Sequence, residues 1–196
     1  MKSIANFLFE IGMLKKTPRS GYFFLGSGEE SVAEHIMRMT YIGYVMAKMD
    51  PKLDECKIIK MCMFHDLAEA RTGDHNYVHK KYVDVNEMKA TQDLADDLFF
   101  GSEIMALYKE FDEMKSRESL HANDADQIEH ILQLKECMDM GNPYAKDWIE
   151  NAKKRMKTDI GKSLTESILE TNAIEWWFQD KDDEWWVNGG KTGHEK

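Results

Sequence analysis

Proline and glycine are scarce in this chain. Three prolines and 12 glycines in 196 residues are too few for a sandwich or barrel, whose short strands need a turn about every 8–12 residues. Cysteine is scarce as well. Cys56, Cys62 and Cys137 are odd in number and form no C-x-x-C pair, which excludes a disulfide framework and leaves a reduced, cytoplasmic setting as the expectation. Positive charge is in deficit: 26 Lys and Arg against 36 Asp and Glu give a net charge of −10. Such a chain is poorly suited to hold nucleic acid or an anionic membrane by charge. No apolar run approaches the ~18 residues of a membrane span. The opening stretch MKSIANFLFEIGMLKK lacks a small-residue cleavage site and carries its charge on the wrong side for a signal peptide. Walker A, GxGxxG and GxSxG loops are missing, and with them any support for P-loop, dinucleotide-fold or serine-hydrolase chemistry.

What the chain does have is apolar content at helical spacing. Hydrophobic residues make up 42% and aromatics 11%, enough to bury a core. Ile4, Phe7, Leu8, Ile11 and Leu14 fall on one stripe, the 3.6-residue period of a helix. Residues 15–30 read as a loop. Ser31-Val-Ala-Glu34 is a capping box that opens a helix running to about Met49. Further helices are expected at about 54–71, 84–99, from Ile104, at 119–140, from Pro143 and at 159–178, with Gly and Pro signals between them. The expectation is a single all-α domain over residues 1–178, a bundle of about seven or eight helices. Residues 179–196, acidic and then Gly-rich, are expected to fray.

Chemistry concentrates in three places. His65-Asp66 lies inside an apolar stretch, Met61-Cys-Met-Phe-His-Asp-Leu-Ala-Glu69, where both groups are costly unless paired or coordinated. His35 sits one turn into the capped helix, among Val32, Ile36 and Met39. Asn123-Asp124-Ala-Asp126 places carboxylates early in a third helix. Two imidazoles and two carboxylates brought together suit a divalent metal such as Mn, Fe, Co, Ni or Zn. Asp124 and Asp126 point about 200° apart. Periodicity favours Asp124, which shares a side with Ile128, Ile131 and Leu132. Glu69 shares a helix face with His65 and Asp66, and Lys15, Lys16 and Arg19 form a basic patch in an acidic chain. His130 reads as packing or surface, the 14 methionines as core filling, and the aromatic runs Trp176-Trp177-Phe178 and Trp185-Trp186 as a packing surface against the domain or a subunit partner.

The ordered set ESVAEH35, H65-D-L-A-E69 and T72-G-D74 resembles the HD-domain metal-dependent phosphohydrolases, and among them the 5′-deoxynucleotidase branch. Leu14-Lys-Lys-Thr-Pro-Arg19 fits the same branch, and the resemblance covers about residues 4–140. It implies an HD-domain helical bundle in which His35, His65, Asp66 and Asp126 hold one divalent ion (Co, Mn, Fe, Ni, Zn or Mg). It makes Glu69 and Asp74 the catalytic acids beside the phosphate and the attacking water, and Arg19 the phosphate grip. The implied substrate is a nucleoside 5′-monophosphate, and the implied assembly a homodimer. In the bacterial branch a tryptophan follows the arginine; here Ser20, Gly21 and Tyr22 follow, so a weaker exclusion of ribonucleotides is expected. Two rivals stand beside this reading. A dinuclear HD phosphodiesterase or oxygenase would need further histidines, and His75, His79 and His121 fit that pattern poorly. A non-enzymatic, metal-stabilised regulatory or dimerisation module would need neither the spare acids nor Arg19.

Overall fold

The computed structural model describes residues 1–187 and Gly189. Helix α1 (Lys2–Ile11) runs into a 3-10 turn at Gly12–Lys15. It is followed by α2 (Tyr22–Leu25), α3 (Val32–Met49), α4 (Glu55–Phe64) and α5 (Glu69–Thr72). After a short 3-10 turn at His79–Lys81 come α6 (Glu87–Ala95), α7 (Gly101–Glu113), α8 (Arg117–Asp139), α9 (Ala145–Lys153), α10 (Asp159–Glu170) and α11 (Glu184–Val187). Eight of these have nine residues or more, and α2, α5 and α11 are single turns. Among the described residues there is no strand, only an isolated antiparallel bridge between Pro18 and Ser31.

The centre is α3, α4 and α8, which close on a core that includes Met39, Met46, Ile58, Met61, Ile128 and Ile131. Their starts are fixed locally. Ser31 and Glu34 form the reciprocal capping box of α3, Asp54 accepts from Lys57 N at 3.0 Å to start α4, and Ser116 caps α8. Each cap satisfies a backbone N–H that the helix itself leaves free. Gly43 lets α3 and α4 meet closely: a Cβ there would stand 2.7 Å from Cys62 Sγ.

Several expected boundaries move, each for a local reason. The helix expected to run through 71 stops at Phe64. Residues 65–68 wind more tightly, with Leu67 N on Phe64 O (3.3 Å) and Glu69 N on Asp66 O (3.0 Å). This i→i+3 winding eclipses side chains three apart, so Asp66 and Glu69 lie on one side. The expected 15–30 loop contains α2. The expected 84–99 helix shortens to α6, begun by Asn86, which accepts from Lys89 N. Pro143 does not open α9; Asn142 Oδ1 caps it from outside, accepting from Tyr144 N (2.9 Å) and Ala145 N (3.2 Å). The last long helix ends at Glu170 rather than 178, because Thr171 is extended and Asn172 starts a turn by accepting from Ile174 N. Of the expected tail, residues 179–187 carry α11, whose Trp186 ring meets Trp177 and Phe178. Residues 188 and 190–196 lie outside the described residues.

Candidate metal centre and cavity

The capping box sets the phase of α3 so that His35 turns fully into the core. His65 and Asp66 leave the end of α4 toward it, and Asp126 comes from the facing side of α8. His35 Nε2 lies 3.2 Å from Asp126 Oδ1 and 3.6 Å from Asp66 Oδ2, and His65 Nε2 lies 3.0 Å from Asp66 Oδ2. His35, His65 and Asp126 offer donor atoms that all lie within 4.8 Å of one another.

The tautomers point the same way. His35 Nδ1 faces Glu129 Oε2 at 2.6 Å and His65 Nδ1 faces the Cys62 carbonyl at 3.0 Å. An acceptor at each Nδ1 fixes a ring proton there and leaves Nε2 as the nitrogen turned toward the carboxylates; against its burial, Asp126 and Glu129 draw a second proton onto His35, which a divalent ion would displace. Both Nε2 atoms are buried and lack a hydrogen-bond partner. The carboxylates are kept ionised. Burial alone would raise Asp126, but the facing His35, then the charges of His65 and Arg19, outweigh it and hold the group well below the usual range. Asp66 is similarly drawn down to about 2, against its burial, by His65, His35 and Arg19. Buried, unpartnered imidazole nitrogens facing ionised carboxylates are the donor set a divalent ion requires. The residues present therefore fit one.

Asp124 is occupied elsewhere. It is fully buried and accepts from Lys157 N (2.8 Å), Thr158 N (2.7 Å) and Thr158 Oγ1 (2.7 Å) at the start of α10. Its apolar-side position reflects the α8–α10 seam. His75, His79 and His121 do not join the ligand cluster. His75 Nε2 is on Thr72 O, His121 Nδ1 on Arg117 O, and the His79 ring packs on His75.

Sequence reasoning missed Glu129, which is fully buried behind His35. Its second oxygen accepts from Arg38 Nε (3.0 Å) and Nη2 (2.8 Å), and Arg38 reaches on to Glu136. Such a carboxylate orients a metal-bound imidazole and makes it a better donor. The readable signal was spacing: Glu129 is three residues past Asp126, and Arg38 three past His35, each on its partner's face. Glu30 was missed too. It is buried against Arg19 (3.9 Å) and accepts from Gln133.

Arg19 is positioned by backbone pairing. Its N–H donates to Glu30 O at 2.8 Å and Val32 N donates to Thr17 O at 2.9 Å, which sets its Nη1 3.6 Å from Asp66 Oδ2. Glu69 is buried with Oε2 unpartnered. Burial, then the charges of Asp66 and Asp74, pushes its carboxyl up to about 9. Asp74 follows Gly73, whose φ of 75° only glycine adopts freely. Its Oδ2 accepts from Ser20 N (2.6 Å) and Ser20 Oγ (2.9 Å), and Asn76 N donates back to Ser20 Oγ. Ser20 thus ties the arginine loop to the acid loop and is not part of the cavity wall.

Arg19, Asp66, Glu69 and Asp126 line one part of a cavity of about 220 Å³. Tyr22 of α2 lines it too, and Gln127, whose amide donates to Asp126 Oδ2, leaves a buried Oε1 unpartnered there. Lys15 and Lys16 are exposed and outside it.

The HD domain sequence profile matches residues 11–168. The 5′-deoxynucleotidase HDDC2 of Dictyostelium discoideum is 32% identical over 145 residues, 68% of this chain and 76% of that protein. Its human counterpart of the same name is 31% identical over 147 residues, 71% of this chain and 70% of that one. A solved structure described as a conserved hypothetical protein from Pyrococcus furiosus superposes with a TM-score of 0.71 at 25% identity, over 85% of this chain and 99% of that one. With a His/Asp cluster that could hold a metal on α3, the end of α4 and α8, this chain belongs to the HD-domain family of metal-dependent phosphohydrolases.

Proposed function

We propose that the chain hydrolyses nucleoside 5′-monophosphates, deoxyribonucleotides foremost, to nucleoside and inorganic phosphate. The observation that carries this is the cluster of unpartnered Nε2 atoms and ionised carboxylates opening, beside Arg19 and Glu69, into one cavity. Relatives named 5′-deoxynucleotidases supply the substrate class.

His35, His65, Asp66 and Asp126 would hold a single divalent ion. When bound, such an ion polarises a phosphoryl oxygen and lowers the pKa of water from 15.7 toward ~7. The chain supplies the rest. Arg19 grips two non-bridging oxygens with its planar fork and offsets charge that builds on them. Glu69 Oε2, an atom that has no partner of its own, would take the proton of the attacking water once the charge of a bound ion offsets the burial and the neighbouring carboxylates that hold its carboxyl protonated. Asp74, held by Ser20, orients that water from the adjacent loop. Gln127 Oε1 accepts from a sugar hydroxyl. Tyr22, rather than Ser20, is the ring beside the sugar, so discrimination against a 2′-hydroxyl is modest, within the ~10² that an apolar wall achieves.

No helix among the described residues is long and apolar enough to cross a membrane, and all three cysteines are free; a cytoplasmic setting accords with both. A homodimer accords with the outer face of α3, where Met37, Tyr41, Tyr44, Val45 and Met49 are exposed. The test is a panel of ribo- and deoxyribonucleoside monophosphates assayed for phosphate release after chelation and after return of Mn²⁺, Co²⁺ or Mg²⁺. Release should vanish on chelation and return with metal. Undiminished release from the metal-free protein would overturn the mechanism.

A further inference from the structure

The cavity extends past the metal ligands to a wall that phosphate hydrolysis leaves unused. Trp148 of α9, Arg155 just beyond it, His130 of α8 and Tyr77 form this wall, and an adjoining recess shares all four. The His130 and Trp148 rings lie 6.5 Å apart. Gly21 backs onto the indole, with Trp148 Cζ3 4.0 Å from where its Cβ would stand. Arg155 lies over the Tyr77 ring at 5.5 Å and donates from Nη1 to the Tyr77 hydroxyl. Its Nε is buried and has no acceptor. Burial, then Arg19, pushes His130 down to about 4, so the wall presents neutral rings and one guanidinium.

That composition selects among ligand chemistries. A second phosphate would find one cation already engaged by a phenol, amid three aromatic rings. A planar heterocycle would find rings to stack on, a contact every base can make. It would also find a buried N–H whose lack of an acceptor is costly until a ligand supplies one. Guanidinium donors pair with a base carbonyl and are repelled by an exocyclic amino group.

We propose that this wall seats the nucleobase, stacking it on Trp148 and matching the Arg155 Nε–H to a ring carbonyl. Guanine, thymine and cytosine, each with a ring carbonyl, are then favoured over adenine, which has none. The inference rests on the nucleoside-monophosphate reading above.

The experiment compares dGMP, dAMP and base-free 2-deoxyribose 5-phosphate as substrates of the metal-loaded protein, in wild type, Trp148→Ala and Arg155→Met. Isothermal titration of dGMP and thermal melts run on the same samples. Wild type should prefer dGMP to dAMP by about tenfold in kcat/KM, the scale of one good polar contact. Arg155→Met should level that ratio. Trp148→Ala should raise KM for both nucleotides by about tenfold, the loss of one stacked base, and leave the base-free sugar phosphate unchanged. Deoxynucleotide hydrolysis with a ratio that Arg155→Met does not alter overturns the base seat and leaves the phosphohydrolase standing. So does equal damage to the base-free substrate by Trp148→Ala. Turnover of the sugar phosphate with no binding or turnover of any nucleotide overturns the nucleotide reading and the base seat together.

Discussion

Asp124 and Asp126 sit two positions apart on α8, and the ~200° between them sends one to the start of α10 and the other to His35. Asp126→Asn should therefore abolish metal binding and turnover, while Asp124→Asn keeps a metallated enzyme but loses ~1–3 kcal/mol of stability from unsatisfied N–H groups. Metal analysis and thermal melts of both variants decide this. Glu129→Ala should weaken metal affinity by about 10–100-fold, read by titration into the metal-free protein; unchanged affinity in a well-folded variant would reduce Glu129 to a tie between helices. Glu69 gives a pH signature. Its carboxyl is raised to about 9 in the folded chain, so both states hold the proton below the ordinary value near 4.5. Above that value the unfolded chain releases it first, and folded stability falls as pH rises toward 9. Metal-free Glu69→Gln should match wild type near pH 4 and exceed it at pH 8, the gap widening by at most ~1.4 kcal/mol per pH unit. A constant gap across that range would contradict the burial of an ionisable Glu69.

At the scale of helices, the closeness of α3 and α4 depends on Gly43. Gly43→Ala should cost ~1–3 kcal/mol by overpacking against Cys62, and Cys62→Ala should restore part of it; a double-mutant cycle in denaturant melts measures the coupling. The long helices were legible because each announces itself by a cap and a stripe: Ser31 and Glu34 for α3, the apolar run of α4, the 159–170 pattern of α10. The four-residue turns were not: α2 is shorter than the several turns over which a period shows, and α5 was merged into the helix expected at 54–71. The break after Phe64 was hidden for a different reason: nothing in Phe-His-Asp-Leu-Ala forbids an α-helix, and the tighter winding is set by packing. That His35, His65, Asp66 and Asp126 meet was implied by the family resemblance, whereas Glu129 and Glu30 could not be read, because a buried glutamate on a polar-looking helix is indistinguishable from a solvated one until its partner is known. Asp124 misled periodicity for the same reason, since α8 buries more than one side.

For the whole molecule, the outer face of α3 makes association testable. Tyr41, 67% exposed, should when changed to Glu convert a dimer to a monomer by light scattering, without loss of fold. A wild type that is monomeric across micromolar concentrations would remove the dimer proposal.

The proposed ligands at 35, 65, 66 and 126 come from three elements far apart in the sequence. An ion held there grips the chain only after those elements have met, because a partly assembled cluster lacks most of its donors. Metal should then leave the rate of folding almost untouched and slow unfolding instead, as for any contact absent from the transition state. The ion would serve as a clasp on the finished fold, and loaded protein would outlast metal-free protein under protease by a margin set by how slowly the metal departs.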